Sequence, residues 1–373
     1  MKIRPRGPHD KYLVPVVAKA LDVLECFSAP AEELTLEQIR RRTSIPHTTV
    51  FRLLHTLVLR GYLLRDGARY RLSSSRRKFR IGFANLSRQI ALAREIEASL
   101  AAAARSAGVE LLLWDNDRDV ETALRNAREM AASGVDAAIE FQLYETAAPV
   151  ISETFASRGI PLISIVNPQH GTLYFGVDNY RAGLTAGLAL VRHAEAGWGV
   201  KPGTVVLLES RRAGPTVQSR LDGALAAIER RFGTYASSAV VHVEGGGGRE
   251  TAAGAVGRLL ASAPKSPIAI AAVNDESALG AADAVAAHRS RRRIAIVGQG
   301  GSPEIIALAR SGSGPCIGTV NFHAEAYGPE LIDFVIAVLQ GRAIPPARYM
   351  PHSFEGPGGA LAALPSVPRR SSI

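Results

Sequence analysis

The stretch "RRKFRIGFANLS", Arg76 to Ser87, changes character in the middle. Its opening bases close a strongly basic segment, and Phe79 to Phe83 begins a short apolar strand. From there the pattern is uniform. Apolar runs "KFRIGFAN", "VELLLWD", "AAIEF", "PLISIV", "LYFGVD", "TVVLLES", "AVVHVE", "IAIAAVN" and "IAIVGQG" alternate with helical segments, many rich in alanine, over 88–107, 119–133, 145–158, 180–195, 215–231, 250–262 and 276–288. Strands of this kind, separated by amphipathic helices, imply parallel sheets covered on both faces. Some 265 residues of it exceed what one small sheet needs, so the spacing predicts two Rossmann-like lobes.

Ahead of the stretch the chain reads differently. Residues 1–80 hold 17 Lys and Arg against 7 Asp and Glu, whereas the remaining 293 hold 27 of each. All the excess positive charge therefore lies in the first fifth, which points to a polyanionic partner for that fifth. Val17, Leu21, Leu24 and Phe27 form a helical stripe with Ala20 and Val23 beside them. "TLEQ", Thr35 to Gln38, reads as a capping box opening a second helix. In "HTTVFRLLHTLVLRGYL", Val50, Leu53, Leu54, Leu57 and Val58 mark the buried stripe of a third helix stopped by Gly61. Its opposite face carries His47, Thr48, Thr49, Arg52, His55 and Thr56, side chains able to reach phosphates and base edges. "YLLRDGARYRL" is a hairpin around Asp66-Gly67, with Arg65, Arg69 and Arg71 along it. Three helices followed by a basic hairpin make a winged helix-turn-helix. The DNA-binding set is His47, Thr48, Thr49, Arg52, His55, Arg69 and Arg71, and the partner is a double-stranded DNA operator.

The run from "AKALDVLECF" through "RYRLS" resembles the DNA-binding domain of the IclR transcriptional regulators. That resemblance implies that His47, Thr48, Thr49 and Arg52 present the recognition helix. It also implies that the first helix helps to pair two such domains in a homodimer. IclR proteins continue into an effector domain related to GAF domains, and this chain does not follow them there.

In open parallel sheets ligands gather beyond the carboxyl ends of the strands. Residues there include Asn85, Arg88, Gln89, Glu140, Asn167, Gln218, Asn274, Asp275 and Gln299, to which Phe322 is added as a candidate ligand contact. "AVNDESALGAADAV", "GIPLISIVN", "FGVDNYRAGLTAGLALV", "VVLLESRRAGPTVQSRLDGALAAI" and "RIAIVGQG" resemble, in order and interval, the type I periplasmic binding proteins and the sensor domains of LacI-type repressors. The similarity spans about 79 to 345 and implies a ligand cleft between two lobes. Several positions depart from the sugar binders of that family. Val166 and Asn167 stand where an acid and a base are usual, and Gln218 replaces a sugar-gripping arginine, although the structural Arg220 and Gly223 remain. Gln299-Gly300 replaces an aspartate, Arg88 and Gln89 stand where aromatic rings would stack, and only Asn274 and Asp275 keep their polar identity. These departures point to a small polar metabolite, sugar or sugar-like, rather than to a simple aldose.

Catalytic patterns are missing from the sequence. "EGGGGRET" lacks the Gly-Lys-Ser/Thr of a phosphate loop, and "VGQGGS" lacks the third glycine and the distant acid of a dinucleotide fingerprint. The nine histidines show no metal-ligand spacing, and no nucleophile elbow is present. We therefore expect a binding protein rather than an enzyme, with no cofactor and no metal. Cys26 and Cys316 read as two ordinary buried thiols. No apolar run reaches the roughly 18 residues of a membrane span, and the basic N-terminus lacks a secretory cleavage site, so a cytoplasmic location is expected.

The expected organisation is a DNA-binding head over 1–72, a linker over 73–78 that spans at most ~20 Å, a sensor over 79–345, and a C-terminal strand with a partly disordered tail over 346–373. A ligand-responsive transcriptional regulator is the leading functional reading. The alternative is a solute-binding protein of a transport system.

Overall fold

The computed structural model describes residues 13–29, 32–73, 79–262, 267–289, 292–357 and 359–361. Residues 74–78 of the predicted 73–78 linker and the tail beyond 361 lie outside them. The chain divides into two compact units, residues 1–78 and 79–373.

The first unit is built on α1 (Pro15–Glu25), α2 (Leu36–Thr43) and α3 (His47–Leu59), with a sheet of β1 (Glu33–Thr35), β2 (Leu63–Asp66) and β3 (Arg69–Leu72). The capping box forms as read. Gln38 N–H donates to Thr35 Oγ1 at 3.3 Å, and Thr35 N–H donates to Gln38 Oε1 at 2.8 Å. Val50, Leu53, Leu54 and Leu57 bury the inner stripe of α3 against Val23, Ile39 and Leu63. The strand β1, too short to show a pattern, pairs antiparallel with β3 and makes the hairpin the middle and edge of a three-stranded sheet. The α1 stripe is only partly a core feature. Val23 and Phe27 are buried, whereas Val17 and Leu21 are about half exposed, together with Leu13, Val14 and Val16.

The second unit holds two sheets. In chain order it runs β4 (Arg80–Asn85), α4 (Ala91–Ala107), β5 (Glu110–Asp115), α5 (Val120–Ala132), β6 (Ala137–Glu140), α6 (Ala148–Ala156), β7 (Leu162–Ile165) and β8 (Leu173–Gly176). It continues through α7 (Asn179–His193), β9 (Thr204–Glu209), α8 (Gly214–Phe232), β10 (Val240–Glu244), α9 (Arg249–Ser262), β11 (Ile268–Ala272), α10 (Asp275–Ala287) and β12 (Ile294–Gly300). It ends with α11 (Pro303–Ser311), β13 (Cys316–Asn321), α12 (Ala324–Leu339), β14 (Ala347–Tyr349), β15 (Ser353–Gly356) and β16 (Gly359–Leu361). One sheet, in the order β14-β8-β7-β6-β4-β5, is parallel throughout. The other, β10-β9-β11-β12-β13-β15-β16, is parallel from β10 to β13 and antiparallel at its last two joins.

Each sheet is covered on both faces, which is why its strands read as unbroken apolar runs. Along β9, Val205 and Leu207 enter one core cluster while Val206 and Leu208 enter another. The chain passes between lobes three times, after β8, after β13 and after β14, because α7 packs with the second lobe and α12 with the first. In the second lobe α7 and α8 touch backbone to backbone. A Cβ on Gly183 would collide with the carbonyl of Arg220, and one on Gly223 with the carbonyl of Tyr180. This close approach fixes where Arg220 stands.

The nine predicted strands and seven helices of this unit all form. Both cysteines are free; Cys316 is buried as expected, but Cys26 is only half-buried. Among the described residues no helix is long and apolar enough to cross a membrane.

Candidate functional site

On the head, the outer face of α3 carries the predicted contacts. His47, Thr48, Arg52, His55 and Thr56 are exposed, and Thr49 is half-buried. On the hairpin Arg69 is exposed and Arg71 is half-buried, its strand position paired with Glu33. Arg65 is exposed on the hairpin as well and folds back along it. Its Nε donates to the Gly67 carbonyl at 2.9 Å, and its guanidinium lies 5.7 Å from the Tyr70 ring centroid. The helix face thus offers hydroxyls, imidazoles and one long base one turn apart, free of the core that holds them.

In the sensor unit a cavity of about 80 Å³ lies between the lobes at the carboxyl ends of the strands. The first lobe supplies Leu86, Ile90, Leu92, Phe141, Leu143 and Val166, with Arg118. The second supplies Val217 and Val273 together with Ser210, Arg220, Asn274, Asp275, Glu276, Gln299 and Ser302. One wall is apolar and the other carries the polar groups. Val166 is buried at φ +64, in the left-handed region that a β-branched residue rarely adopts. Strain of that kind persists where surrounding packing enforces it, commonly at ligand sites.

The predicted ligand residues divide into two groups. Asn274, Asp275 and Gln299 reach the cavity. Asn85, Arg88, Gln89, Glu140, Asn167, Gln218 and Phe322 are not among its lining residues, for particular reasons. Asn85 Nδ2 donates to the Ala93 carbonyl at 3.1 Å and to Glu97 Oε2 at 2.9 Å, while Arg88 Nε pairs with Glu97 Oε1 at 2.8 Å. One carboxylate on α4 therefore ties down the loop after β4, leaving Leu86 and Ile90 to face inward and Gln89 exposed. Asn167 Nδ2 reaches the Gln142 carbonyl at 3.3 Å.

Glu140 is fully buried, with Oε1 accepting from Asn116 Nδ2 at 2.8 Å, and Asn116 in turn accepting from Asn126 at 2.9 Å. Burial without a cation pushes its carboxyl up to about 8, with the Asn116 bond opposing. Phe322 is buried beneath Arg220, whose guanidinium sits 4.9 Å from its ring centroid. Gln218 is half-buried, with both amide atoms enclosed and without a partner.

Even the residues that reach the cavity are largely occupied. Asn274 caps α10, accepting from Ser277 N–H at 2.8 Å, and donates to the Gly247 carbonyl at 2.9 Å. Asp275 accepts from the N–H groups of Gly301 and Ser302, both at 2.7 Å, and from Thr319 Oγ1 at 2.6 Å. Burial nevertheless raises its carboxyl above the ordinary range.

Arg220 is the opposite case. Its Nε donates to Asn179 Oδ1 at 2.7 Å and its Nη1 to the Val273 carbonyl at 3.0 Å, while Nη2 has no partner. It is 4% exposed, and burial draws its guanidinium down to about 10, still charged at neutral pH. The sequence reading assigned Arg220 a structural role only; the structure puts it both in the helix packing and on the cavity wall. The apolar lining residues were missed as well, since loop hydrophobics carry no period to mark them.

Among the described residues no group of three or more His, Cys, Asp or Glu is placed to hold a metal ion.

Comparison with known proteins agrees with both units. Residues 16–67 match the IclR helix-turn-helix domain, and residues 81–343 match the periplasmic binding protein domain. Over 56 residues the chain is 43% identical to the Pca regulon regulatory protein of Pseudomonas putida, which is 15% of this chain and 19% of that protein. The chain thus spans about a fifth of that relative's length.

Three solved structures resemble the larger unit. An ABC transporter solute-binding protein from Mycobacterium smegmatis with bound glycerol is 21% identical, with a TM-score of 0.68 over 75% of this chain and 95% of that one. A glucose-galactose binding protein from Geobacillus stearothermophilus is 22% identical, with a TM-score of 0.67 over 76% and 99%. A solute-binding protein from Actinobacillus succinogenes with bound D-allose is 20% identical, with a TM-score of 0.65 over 75% and 98%. Likeness at this identity fixes the two-lobed fold and leaves the ligand open. The chain belongs to the periplasmic binding protein domain family through residues 81–343, and it carries an IclR helix-turn-helix domain ahead of it.

Proposed function

We propose that this protein is a ligand-responsive transcriptional regulator: the head binds an operator in double-stranded DNA, and a small metabolite in the sensor cleft controls that binding. The observation that carries the reading is the pairing, in one chain, of an exposed Thr48-Arg52-His55 face on α3 with a two-lobed fold enclosing a cavity. The charge supports it, since the whole excess of basic residues falls on residues 1–80, the head and the short segment that follows it.

His47, Thr48, Thr49, Arg52 and His55 enter the major groove, with Arg69 and Arg71 on the adjacent backbone. The half-exposed apolar residues of α1, Val17 and Leu21 among them, form the face on which two heads pair, making the working unit a homodimer. The effector is a small molecule carrying a polar group, held between lobes that close on it. Closure changes operator affinity to the extent that ligand binds the open and closed lobes unequally. The site is a binding site and not a catalytic one, and the protein acts in the cytoplasm beside its DNA.

The test is a salt titration of duplex DNA binding by the full chain. A protein that neutralises six to ten phosphates loses about 10³ to 10⁵ in affinity between 50 and 200 mM salt. Failure to bind duplex DNA at low salt would end this reading. Recovery of the chain from a periplasmic fraction would favour the solute-binding alternative.

A further inference from the structure

The cleft is built unlike a container for a polyol. Each sugar hydroxyl taken out of water without a partner forfeits about 1–3 kcal/mol, so a sugar needs polar groups around its whole rim. Here the first lobe presents Leu86, Ile90, Leu92, Phe141, Leu143 and Val166, and its one polar lining residue is Arg118. On the second lobe Asn274 and Asp275 are occupied by the bonds that hold α10 and the loop after β12.

What remains open is cationic. Arg220 is more than nine-tenths buried, lines the cavity and has an unpartnered Nη2. Among the described residues no carboxylate forms an ion pair with it. Asp275 acts on it only through space, its oxygens being bonded to Gly301, Ser302 and Thr319, and Glu276 lies part-exposed in the first turn of α10. Gln299 Oε1 is a further unpartnered buried polar atom on the cavity wall. The cavity is small, about 80 Å³, which favours a compact ligand over an extended one.

Resting on the proposal that this cleft is the effector site, we propose that it takes a compact apolar-bodied monocarboxylate, an aromatic or branched aliphatic acid. The carboxylate sits against the Arg220 guanidinium and the body against the apolar wall of the first lobe. The carboxylate supplies the ion-pair partner that Arg220 lacks, accepting from its open Nη2.

The experiment uses the full chain and four kinds of probe: benzoate and isovalerate, the neutral isostere benzamide, and the polyols glucose, allose and glycerol. Calorimetric titration and thermal shift should show binding of at least one acid, with benzamide about ten- to a hundredfold weaker than benzoate, the worth of one charge-assisted hydrogen bond. The polyols should leave the melting temperature unmoved. Arg220→Gln should abolish the acid's advantage over the amide. Because Arg220 also packs α8, Leu143→Asn on the opposite wall provides a second variant, which should weaken acid and amide alike.

Binding of a polyol but of neither acid, or equal binding of benzoate and benzamide, overturns the inference while leaving a sensor in place. Acid binding that leaves DNA affinity unchanged sustains the inference and sinks the regulatory reading instead.

Discussion

On α3, Thr48, Arg52 and His55 stand exposed on a scaffold that does not need them; at the cleft, buried Asn85, Glu140, Asn167 and Asp275 and half-buried Asn274 are bonded into the scaffold itself. Polar side chains on an amphipathic helix are available for a partner because the apolar stripe alone supports the fold. Polar side chains at the ends of buried strands must first satisfy the orphan groups of loops and helix starts. The same residue types therefore mark function in one region and architecture in the other. In the cleft, binding capacity falls to what the architecture leaves unsatisfied, Arg220 above all.

The contrast can be broken from either side. The largest effect is expected from Gly183→Ala, whose methyl would meet the Arg220 carbonyl where α7 crosses α8. Overpacking of that kind costs on the order of 3 kcal/mol. It should lower the unfolding temperature of the sensor while the head still binds duplex DNA, read by calorimetry and anisotropy on the same sample.

Next comes Glu140→Gln. The carboxyl is raised to about 8 in the folded chain against an ordinary 4.5. Between those values the unfolded chain is ionised and the folded one is not, so stability falls as pH rises through the window and is level above it. The slope is up to about 1.4 kcal/mol per pH unit. The glutamine variant should be the more stable protein at pH 7 and should lack this slope in urea midpoints measured from pH 5 to 8. An identical slope in both proteins would mean that Glu140 titrates normally.

Arg52→Ala tests the opposite region. Loss of one well-placed base or phosphate contact should weaken operator binding by about 1–3 kcal/mol, with the melting temperature unchanged because the side chain is exposed. The smallest effect is the sharpest test of the comparison. Asn274→Ala removes the α10 cap and should destabilise the sensor by about 1 kcal/mol with little change in ligand affinity at equal folded fraction. The reverse outcome, full stability with lost binding, would return Asn274 to the ligand.

The sequence was unequally legible for the same physical reason. Periodicity located α3, the hairpin and nine strands, because a 3.6 or a 2.0 repeat over many residues averages out exceptions. It could not show that β1 closes the wing sheet, since Glu33–Thr35 is three residues long and pairs with strand β3 far along the chain. Nor could it show that Glu97 claims both Asn85 and Arg88, a contact across nine to twelve residues that decides which way a loop turns. The left-handed backbone at Val166 has no signal in its own identity, because valine is among the residues least suited to it. Arg220 was visible as a residue but not as an unpaired charge, which only the positions of its neighbours reveal.

The proposed linkage makes occupancy of the cleft change what the head does. It is tested most directly by selecting an operator from a random duplex pool with the full chain. That operator is then titrated with and without a saturating amount of the compound that most stabilises the sensor. A linked regulator should shift operator affinity by about 5- to 150-fold, in either direction, and should lose the shift in Arg220→Gln while keeping its affinity for DNA. Identical titrations with and without the bound compound would contradict it.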